Sequence, residues 1–428
     1  MKCISKILLG FLICSLINCT SKNADEPEET PKPNILFIMS DDHTSQSWGI
    51  YGGIRKDYVK NENIKRLGGQ GAVLNNVFCT NSICVPSRAS ILTGQYSHRN
   101  GVYTLVEALE PDSMNIAKVL QNNGYHTAII GKWHLKKQPA GFDHFMVLPG
   151  QGRYQNPILK TVDNWEDRNK GGKEFPGFSS DVITDFSLEW LEERDSAKPF
   201  FLMTHFKATH EPFDYPERHK DLYIDQDIPE PASLYDFSPE TTGRSFIGQK
   251  LENLGWRWEQ ATAKPDEWWT RYPGMPFSLE GLDSLQARKK IYQKFVKDFM
   301  RCGAAIDDNI GRLLDYLEAS GLAENTVVIY TADQGYFLGE HGFFDKRMIY
   351  EESLRMPFVI RYPKEIQGGS RIDDIILNID FPSLFADYAG IDNPSFTQGR
   401  SFRKNVAGQT PEDWRQTMYY RYWAHAPV

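Results

Sequence analysis

The chain has 428 residues, and 48 Lys and Arg against 56 Asp and Glu give a formal net charge of −8. That length suits one large α/β domain with a smaller attachment, or roughly two to three average domains, and 40% apolar with 24% charged residues excludes disorder over most of the chain. The acidic balance excludes sequence-independent nucleic-acid binding, a single long apolar run excludes a multi-span membrane protein, and six cysteines are too few for a disulfide scaffold.

Lys2 and Lys6 precede an apolar run from Ile7 to Ile17, too short for a span and suited to a signal-peptide core. Cys19, followed by Thr20-Ser21-Lys22, resembles the lipidated cysteine of a bacterial lipoprotein; plain secretion is the other reading. Residues 1–18 are then a signal peptide and 19–32 a tether, acidic through Asp25, Glu26, Glu28 and Glu29. The expectation is an exported lipoprotein of the periplasm or outer-membrane surface, anchored in lipid through Cys19. Cys79, Cys84 and Cys302 remain, an odd number for an exported chain.

Asn34–Met39 reads as a buried strand ending at Ser40-Asp41-Asp42. Pro86 suits the first turn of a helix over Ser87–Leu92, with Thr93-Gly94 as its stop. Ser113 caps a helix to Asn123 that Gly124 ends, and strands follow at Thr127–Gly131 and Phe200–Thr204. Residues 225–281 are rich in Pro and aromatics, including Trp256, Trp258, Trp268 and Trp269, without clear periodicity. They read as an insertion over the sheet, whose tryptophans are either sugar-stacking surfaces or ordinary packing. Ile291, Phe295 and Phe299, then Ile306, Ile310, Leu313, Leu314 and Leu317, predict a long helix or a broken pair ending near Gly321. Thr326–Thr331 is a further strand, followed by Ala332-Asp333-Gln334-Gly335.

Strands alternating with helices imply an α/β sheet, whose ligand sits beyond the carboxyl ends of the strands. Asp41, Asp42, Asp333 and Gln334 fall at such ends. Their oxygens suit a hard cation, Ca²⁺ or Mg²⁺, and not zinc. Cys84 begins a helix, where unpaired N–H groups favour an anion, and Arg88 follows one turn later. Cys84 is therefore either a reactive centre or a buried cysteine, disulfide-linked to Cys79 in one version.

Cys84-Val85-Pro86-Ser87-Arg88 followed by Ala89-Ser90-Ile91-Leu92-Thr93-Gly94 resembles the signature of the type I, formylglycine-dependent sulfatase family. Pro33–Asp42, Gly131–Leu135, Phe206–Phe213, Thr331–Gly335 with Gly339–Gly342 and Lys346, Asn378–Leu384 and Gly399-Arg400-Ser401 resemble further family motifs in family order. The resemblance implies an alkaline-phosphatase-like fold, a central mixed sheet flanked by helices. Its catalytic domain is expected over 33–390, with 391–428 the start of an incomplete C-terminal subdomain.

The resemblance further implies that a maturase converts Cys84 to formylglycine, and that Asp41, Asp42, Cys84, Asp333 and Gln334 hold one Ca²⁺. Arg88, Lys132 and Lys346 would neutralise a sulfate, His210 would be the general acid and His134 the base; His43, His98 and His341 are weaker candidates. The run Gly339–Tyr350 resembles members acting on glycosaminoglycan or mucin sugar sulfates such as N-acetylglucosamine-6-sulfate. Two other readings compete. A phosphomonoester or phosphodiester hydrolase of the same superfamily would need a Thr or Ser nucleophile and a His-rich two-metal set. A non-catalytic surface glycan-binding lipoprotein would not need the acid, base and metal residues.

Overall fold

The computed structural model describes residues 31–168, 170–235, 249–267 and 271–423. The expected signal peptide, nearly all of the tether, Trp268 and Trp269 lie outside the described residues. Among those described, no helix is long and apolar enough to cross a membrane.

Eight strands build the main sheet: β1 (Asn34–Asp41), β2 (Ala72–Leu74), β3 (His126–Lys132), β4 (His144–Leu148), β5 (Phe200–Thr209), β6 (Thr326–Ala332), β7 (Phe358–Arg361) and β8 (Ser370–Ile372). Their order is β8-β2-β7-β6-β1-β5-β3-β4. The centre is parallel, and β7 runs antiparallel to both β6 and β2, which makes the sheet mixed. Ile35, Phe37 and Met39 face one apolar core and Leu36 and Ile38 the other, the period of two expected of a strand covered on both faces. Fully burying each such side chain contributes about 1.5–3 kcal/mol.

Helices cover both faces: α1 (Glu62–Gly69), α2 (Cys84–Thr93), α3 (Ile116–Asn122), α4 (Ser179–Glu193), α5 (Leu251–Ala263), α6 (Ser284–Ala319) and α7 (Phe381–Tyr388). The cap of α3 is Asn115, whose side chain accepts from the Lys118 N–H at 3.1 Å, and not Ser113. An Asn caps as well as a Ser, and here it also ties the helix to the Ala140 carbonyl. The helix α6 is one unbroken element of 36 residues, started by a reciprocal Asp283–Gln286 capping box. Its Ile306, Ile310, Leu313, Leu314 and Leu317 pack under the sheet, while Ile291, Phe295 and Phe299 carry a separate apolar cluster.

That separate cluster includes the insertion. Contrary to the sequence expectation, the insertion is partly helical: Leu251, Leu254, Trp258 and Ala261 on α5 are buried at helical spacing. Trp258 is 1% exposed, wedged against Phe277, so it is a core residue and no platform for a sugar, whereas Trp256 is 60% exposed. Phe402, Val406 and Trp414, from the stretch expected to open a further subdomain, lie in the same core cluster as β1.

Candidate active site

The parallel register brings the carboxyl ends of β1, β3, β5 and β6 to one edge: Ser40 pairs with Ala332 and Asp41 with Thr209, beyond an irregularity in β1. Asp42 then takes φ 63, a left-handed turn that sends its backbone N–H to Asp333 Oδ1 at 3.1 Å. Gly131, inside β3, is required by contact: a Cβ there would run into the His205 carbonyl.

The helix α2 packs against this edge with every residue buried, and Gly94 at φ 66 closes it. Cys84 opens the helix, as expected, and Ser87 donates to the Asp333 carbonyl. Asn378 in turn donates to Ser87 Oγ at 3.0 Å, which gives the late Asn378–Leu384 motif a structural task. Cys79, Cys84 and Cys302 are all free and buried, so the disulfide alternative for Cys84 is closed.

The carboxylates of Asp41, Asp42 and Asp333 offer oxygens within 4.8 Å of one another, and all three are buried. Three cations answer them. Arg88 reaches Asp333 Oδ2 at 2.9 Å, Asp41 Oδ1 at 3.3 Å and the Lys132 carbonyl at 2.8 Å. Lys132 bonds Asp41 and Gln151, and Lys346 bonds Asp42 Oδ2 at 2.6 Å. Burial works against ionising Asp41, but the charges of Lys132, Arg88 and Lys346 hold it well below the usual carboxylate range. Burial, with neighbouring carboxylates acting in the same sense, raises Asp42 to about 6 and Asp333 to about 8, against the pull of Lys346 and Arg88 respectively. Gln334 donates through Nε2 to Asp42 and, at 3.7 Å, to Cys84 Sγ, while its buried Oε1 has no partner. A turned amide would present that oxygen among the carboxylates. Three buried carboxylates, two of them short of positive charge, and an unpartnered amide oxygen fit a hard divalent cation.

Cys84 Sγ sits 3.9 Å from Asp42 Oδ1. The helix N-terminus was expected to favour an anion at this position. Instead burial, then Asp41, pushes the thiol well above its ordinary value, with Lys346 only partly opposing Asp42 and Asp333. These neighbours disfavour the thiolate, the nucleophilic form of a cysteine.

A cavity of about 280 Å³ opens over Cys84, with Asp42, His210, Glu211, Arg257, Tyr336 and Lys346 among its lining. The Nδ1–H of His210 donates to the Glu211 carbonyl at 2.8 Å, leaving Nε2 3.8 Å from Asp42 Oδ2. Tyr154 donates its hydroxyl to the His210 carbonyl at 2.5 Å. His134, at φ 61 after β3, lines a neighbouring cavity rather than this one. Arg88 and Lys132 lie beneath the carboxylates and outside the lining, so of the three expected anion-neutralising cations only Lys346 faces the cavity.

The weaker histidines fall away. His43 is buried on Tyr330, His98 stacks on Tyr96, and His341 packs against Tyr350. Sequence reasoning missed Gln151, Arg257, Tyr336, Asp345 and Arg347 as cavity residues. Asp345 and Arg347 flank Lys346, a usable signal; Arg257 carries none without the helical reading of α5.

The sulfatase family profile matches residues 33–391. An N-acetylglucosamine-6-O-sulfatase of Bacteroides thetaiotaomicron is 38% identical over 98% of this chain and 79% of its own. A solved structure of a protein in complex with its substrate, D-glucosamine-2-N,6-O-disulfate, matches with TM-score 0.83 and 37% identity, covering 92% of this chain and 84% of that one. A phosphonate monoester hydrolase of Silicibacter pomeroyi shares the fold alone, at TM-score 0.66 and 21% identity over 90% of this chain and 78% of that one.

Proposed function

The chain belongs to the sulfatase family, the sulfuric ester hydrolases, and from that premise we propose that it removes a 6-sulfate from a glucosamine-type sugar of a sulfated glycan. The proposal includes conversion of Cys84 to formylglycine by a host maturase, and a calcium-type ion on Asp41, Asp42, Asp333, Gln334 and residue 84.

One observation carries it. Cys84 opens a buried helix beneath the cavity, beside His210 and Lys346 and next to a cluster of three carboxylates. The hydrate of an aldehyde at residue 84 would offer one hydroxyl to attack sulfur and a second whose deprotonation expels sulfate, a release that a plain serine ester lacks. A bound calcium-type ion would supply positive charge to the sulfate and to the attacking oxygen.

The chain's own residues do the rest. Lys346 faces the cavity and would neutralise the incoming sulfate. Arg88 and Lys132 fix Asp41 and Asp333 in place. Burial, followed by Lys132, holds His210 well below the ordinary imidazole range, so it is neutral in the free protein. An arriving sulfate monoanion would favour the imidazolium, whose Nε2–H could then protonate the departing sugar oxygen. Burial and Lys132 likewise keep His134 neutral, the state a base needs.

The glucosamine and 6-position assignments draw on the printed activities of the two relatives above. The lipoprotein-like signal supports export to a compartment where sulfated polymers are met, with Cys19 as the anchor. A panel of 2-, 3-, 4- and 6-sulfated sugars, with free sulfate measured by ion chromatography, tests the reading. Release from the 6-sulfated amino sugar is expected. Turnover of aryl sulfates with no sugar sulfate cleaved would overturn the carbohydrate assignment and leave the sulfatase chemistry standing.

A further inference from the structure

The chemistry above gives no task to Tyr154, Lys207 or Cys302, although all three are buried and meet behind His210. Tyr154 lies in the loop that follows β4 and is held on several sides. Its ring stacks on Phe178 at 5.6 Å, and the Lys207 ammonium lies 4.7 Å from the ring centre. The Cys302 thiol, on α6, donates to its hydroxyl oxygen at 3.5 Å. Its backbone carbonyl accepts from the Ser179 N–H at 2.7 Å, at the start of α4. A side chain packed at its ring, its hydroxyl and its backbone has little room to swing.

The hydroxyl fixed in this way donates to the His210 carbonyl at 2.5 Å. The other bonds of His210 are local. Its N–H donates to the Lys207 carbonyl and its carbonyl also accepts from the Phe213 N–H, both at 3.2 Å. Its imidazole Nδ1–H donates to the carbonyl of the next residue, Glu211, at 2.8 Å. These local bonds shape the turn, and the Tyr154 hydroxyl joins it to the loop after β4. Gln155, next in the chain, donates to Asp214 Oδ2 at 3.1 Å, so the same loop pins the His210 segment at two points. A proton donor must hold its N–H on the departing oxygen to well within about 1 Å, and it does so only if the residues behind it are themselves fixed.

We propose that Tyr154 is a positioning residue for the proton transfer to the sugar oxygen: its hydroxyl, seated by Phe178, Lys207 and Cys302, fixes the turn that aims His210 Nε2–H. In that step the bond from sulfur to the sugar oxygen breaks and its electron pair stays on oxygen. The imidazolium Nε2 proton passes to that oxygen, and Tyr154 keeps its own proton throughout. The inference rests on the reading of His210 as the general acid and deepens it by naming what aims the acid.

The test uses Tyr154→Phe, which keeps the ring and its packing and removes only the hydroxyl. Two substrates are compared: a 6-sulfated amino sugar, whose alkoxide needs a proton to leave, and a nitrophenyl sulfate, whose phenolate leaves without one. On the sugar ester kcat is expected to fall about tenfold, the size of one hydrogen bond, with KM nearly unchanged. The ratio of sugar to nitrophenyl turnover should fall by a similar factor. His210→Ala should lower that ratio further, by about a hundredfold. Adding Tyr154→Phe to His210→Ala should lower sugar turnover no further, because the hydroxyl then has no acid to aim. Equal losses on the two substrates in His210→Ala would remove the general-acid reading, and the proposal with it. A selective loss in His210→Ala beside unchanged sugar turnover in Tyr154→Phe would leave the acid standing and overturn the role of Tyr154. So would a second tenfold loss in the double variant, or an equal fall in both turnovers of Tyr154→Phe with a lowered unfolding midpoint. If the nitrophenyl ester is not turned over, the double-variant comparison on the sugar ester decides alone.

Discussion

Arg88 Nε lies 2.9 Å from Asp333 Oδ2, joining the middle of α2 to the chain just beyond β6. Both groups are buried, and the same guanidinium also spans Asp41 and the Lys132 carbonyl. Arg88 is thus a positioning residue, not a wall of the cavity. Removing one member of such a buried set leaves a bare charge, at about 3–5 kcal/mol. Arg88→Ala should therefore lower the unfolding midpoint as well as activity. Arg88→Lys keeps the charge but not the planar fork, and should recover only part of the stability. Denaturant unfolding of both variants checks this; an unchanged midpoint in Arg88→Ala would contradict it.

A second prediction concerns Cys84. Peptide mass after production with a maturase should show loss of the thiol and gain of an aldehyde. Cys84→Ala should cost about 1 kcal/mol in stability, since the side chain is small and makes only long contacts. Its activity should fall by about a thousandfold or more, the usual effect of deleting a nucleophile. Full activity with an unmodified thiol would sink the mechanism.

The carboxylate cluster gives a third. Calcium added to metal-free protein should raise the thermal midpoint, by the equivalent of about 2.7 kcal/mol at a hundred times its dissociation constant. Asp333→Ala should abolish that shift and the activity with it. Gln334→Asn, which keeps the amide oxygen on a shorter stem, should weaken both without abolishing them. A larger midpoint shift with zinc than with calcium would overturn the ligand assignment.

One apolar run stopping at Asp-Asp is more often a turn or a helix cap; two such stops, at Asp41-Asp42 and Asp333-Gln334, were what made the strand ends legible, and the sheet brings Asp41 and Asp333 to one edge. Cys84 was legible as the start of a helix from its local sequence alone. Its protonation state was not, because that depends on carboxylates from β1 and β6 that only the fold brings near. Strand β5 runs on to Thr209 through His205 and Lys207, where polar residues hid the extension. Their side chains are buried, His205 on the Lys132 carbonyl and Lys207 over the Tyr154 ring. Helix α5 was missed because its apolar stripe is narrow and its segment opens among prolines. With it went Arg257, a cavity residue.

A fourth prediction uses pH. Asp308 on α6 accepts from Lys60 at 2.5 Å and Arg218 at 2.8 Å, and faces His219 Nε2 at 3.0 Å. Burial opposes its ionisation, but His219, Lys60 and Arg218 outweigh burial and leave its carboxyl far below the usual range. A depressed folded value means stability that is complete above the unfolded value and lost as pH falls toward the folded one. Asp308→Asn should therefore cost about 1.5–3 kcal/mol at neutral pH. The gap from the unaltered protein should stay constant down to about pH 5 and narrow below about pH 4. Urea unfolding at a series of pH values measures it, and a gap that widened in acid would show the sign to be wrong.

The last prediction concerns Arg257 and Glu211 in the wall of the Cys84 cavity. Arg257, on α5, donates to Glu211 Oε2 at 2.6 Å and lies over the Phe344 ring at 5.4 Å. Glu211 also accepts from the Tyr272 hydroxyl at 2.5 Å, and its carbonyl accepts the Nδ1–H of His210. One carboxylate thus couples the insertion to the segment that orients the histidine. Arg257→Ala would leave Glu211 partly buried with only Tyr272 as partner, so it should cost about 1–3 kcal/mol. The same change removes a cation from the cavity wall, so KM should rise, while kcat should fall only as far as Glu211 drags His210 out of line. Glu211→Gln keeps the carbonyl that orients His210 and loses the charge, so it should move stability and KM but leave kcat nearly intact. Measured together as a double-mutant cycle, the two substitutions should cost less than their sum, because they break the same ion pair. Additive losses would mean that Arg257 and Glu211 act independently and that the insertion does not set the geometry of the histidine.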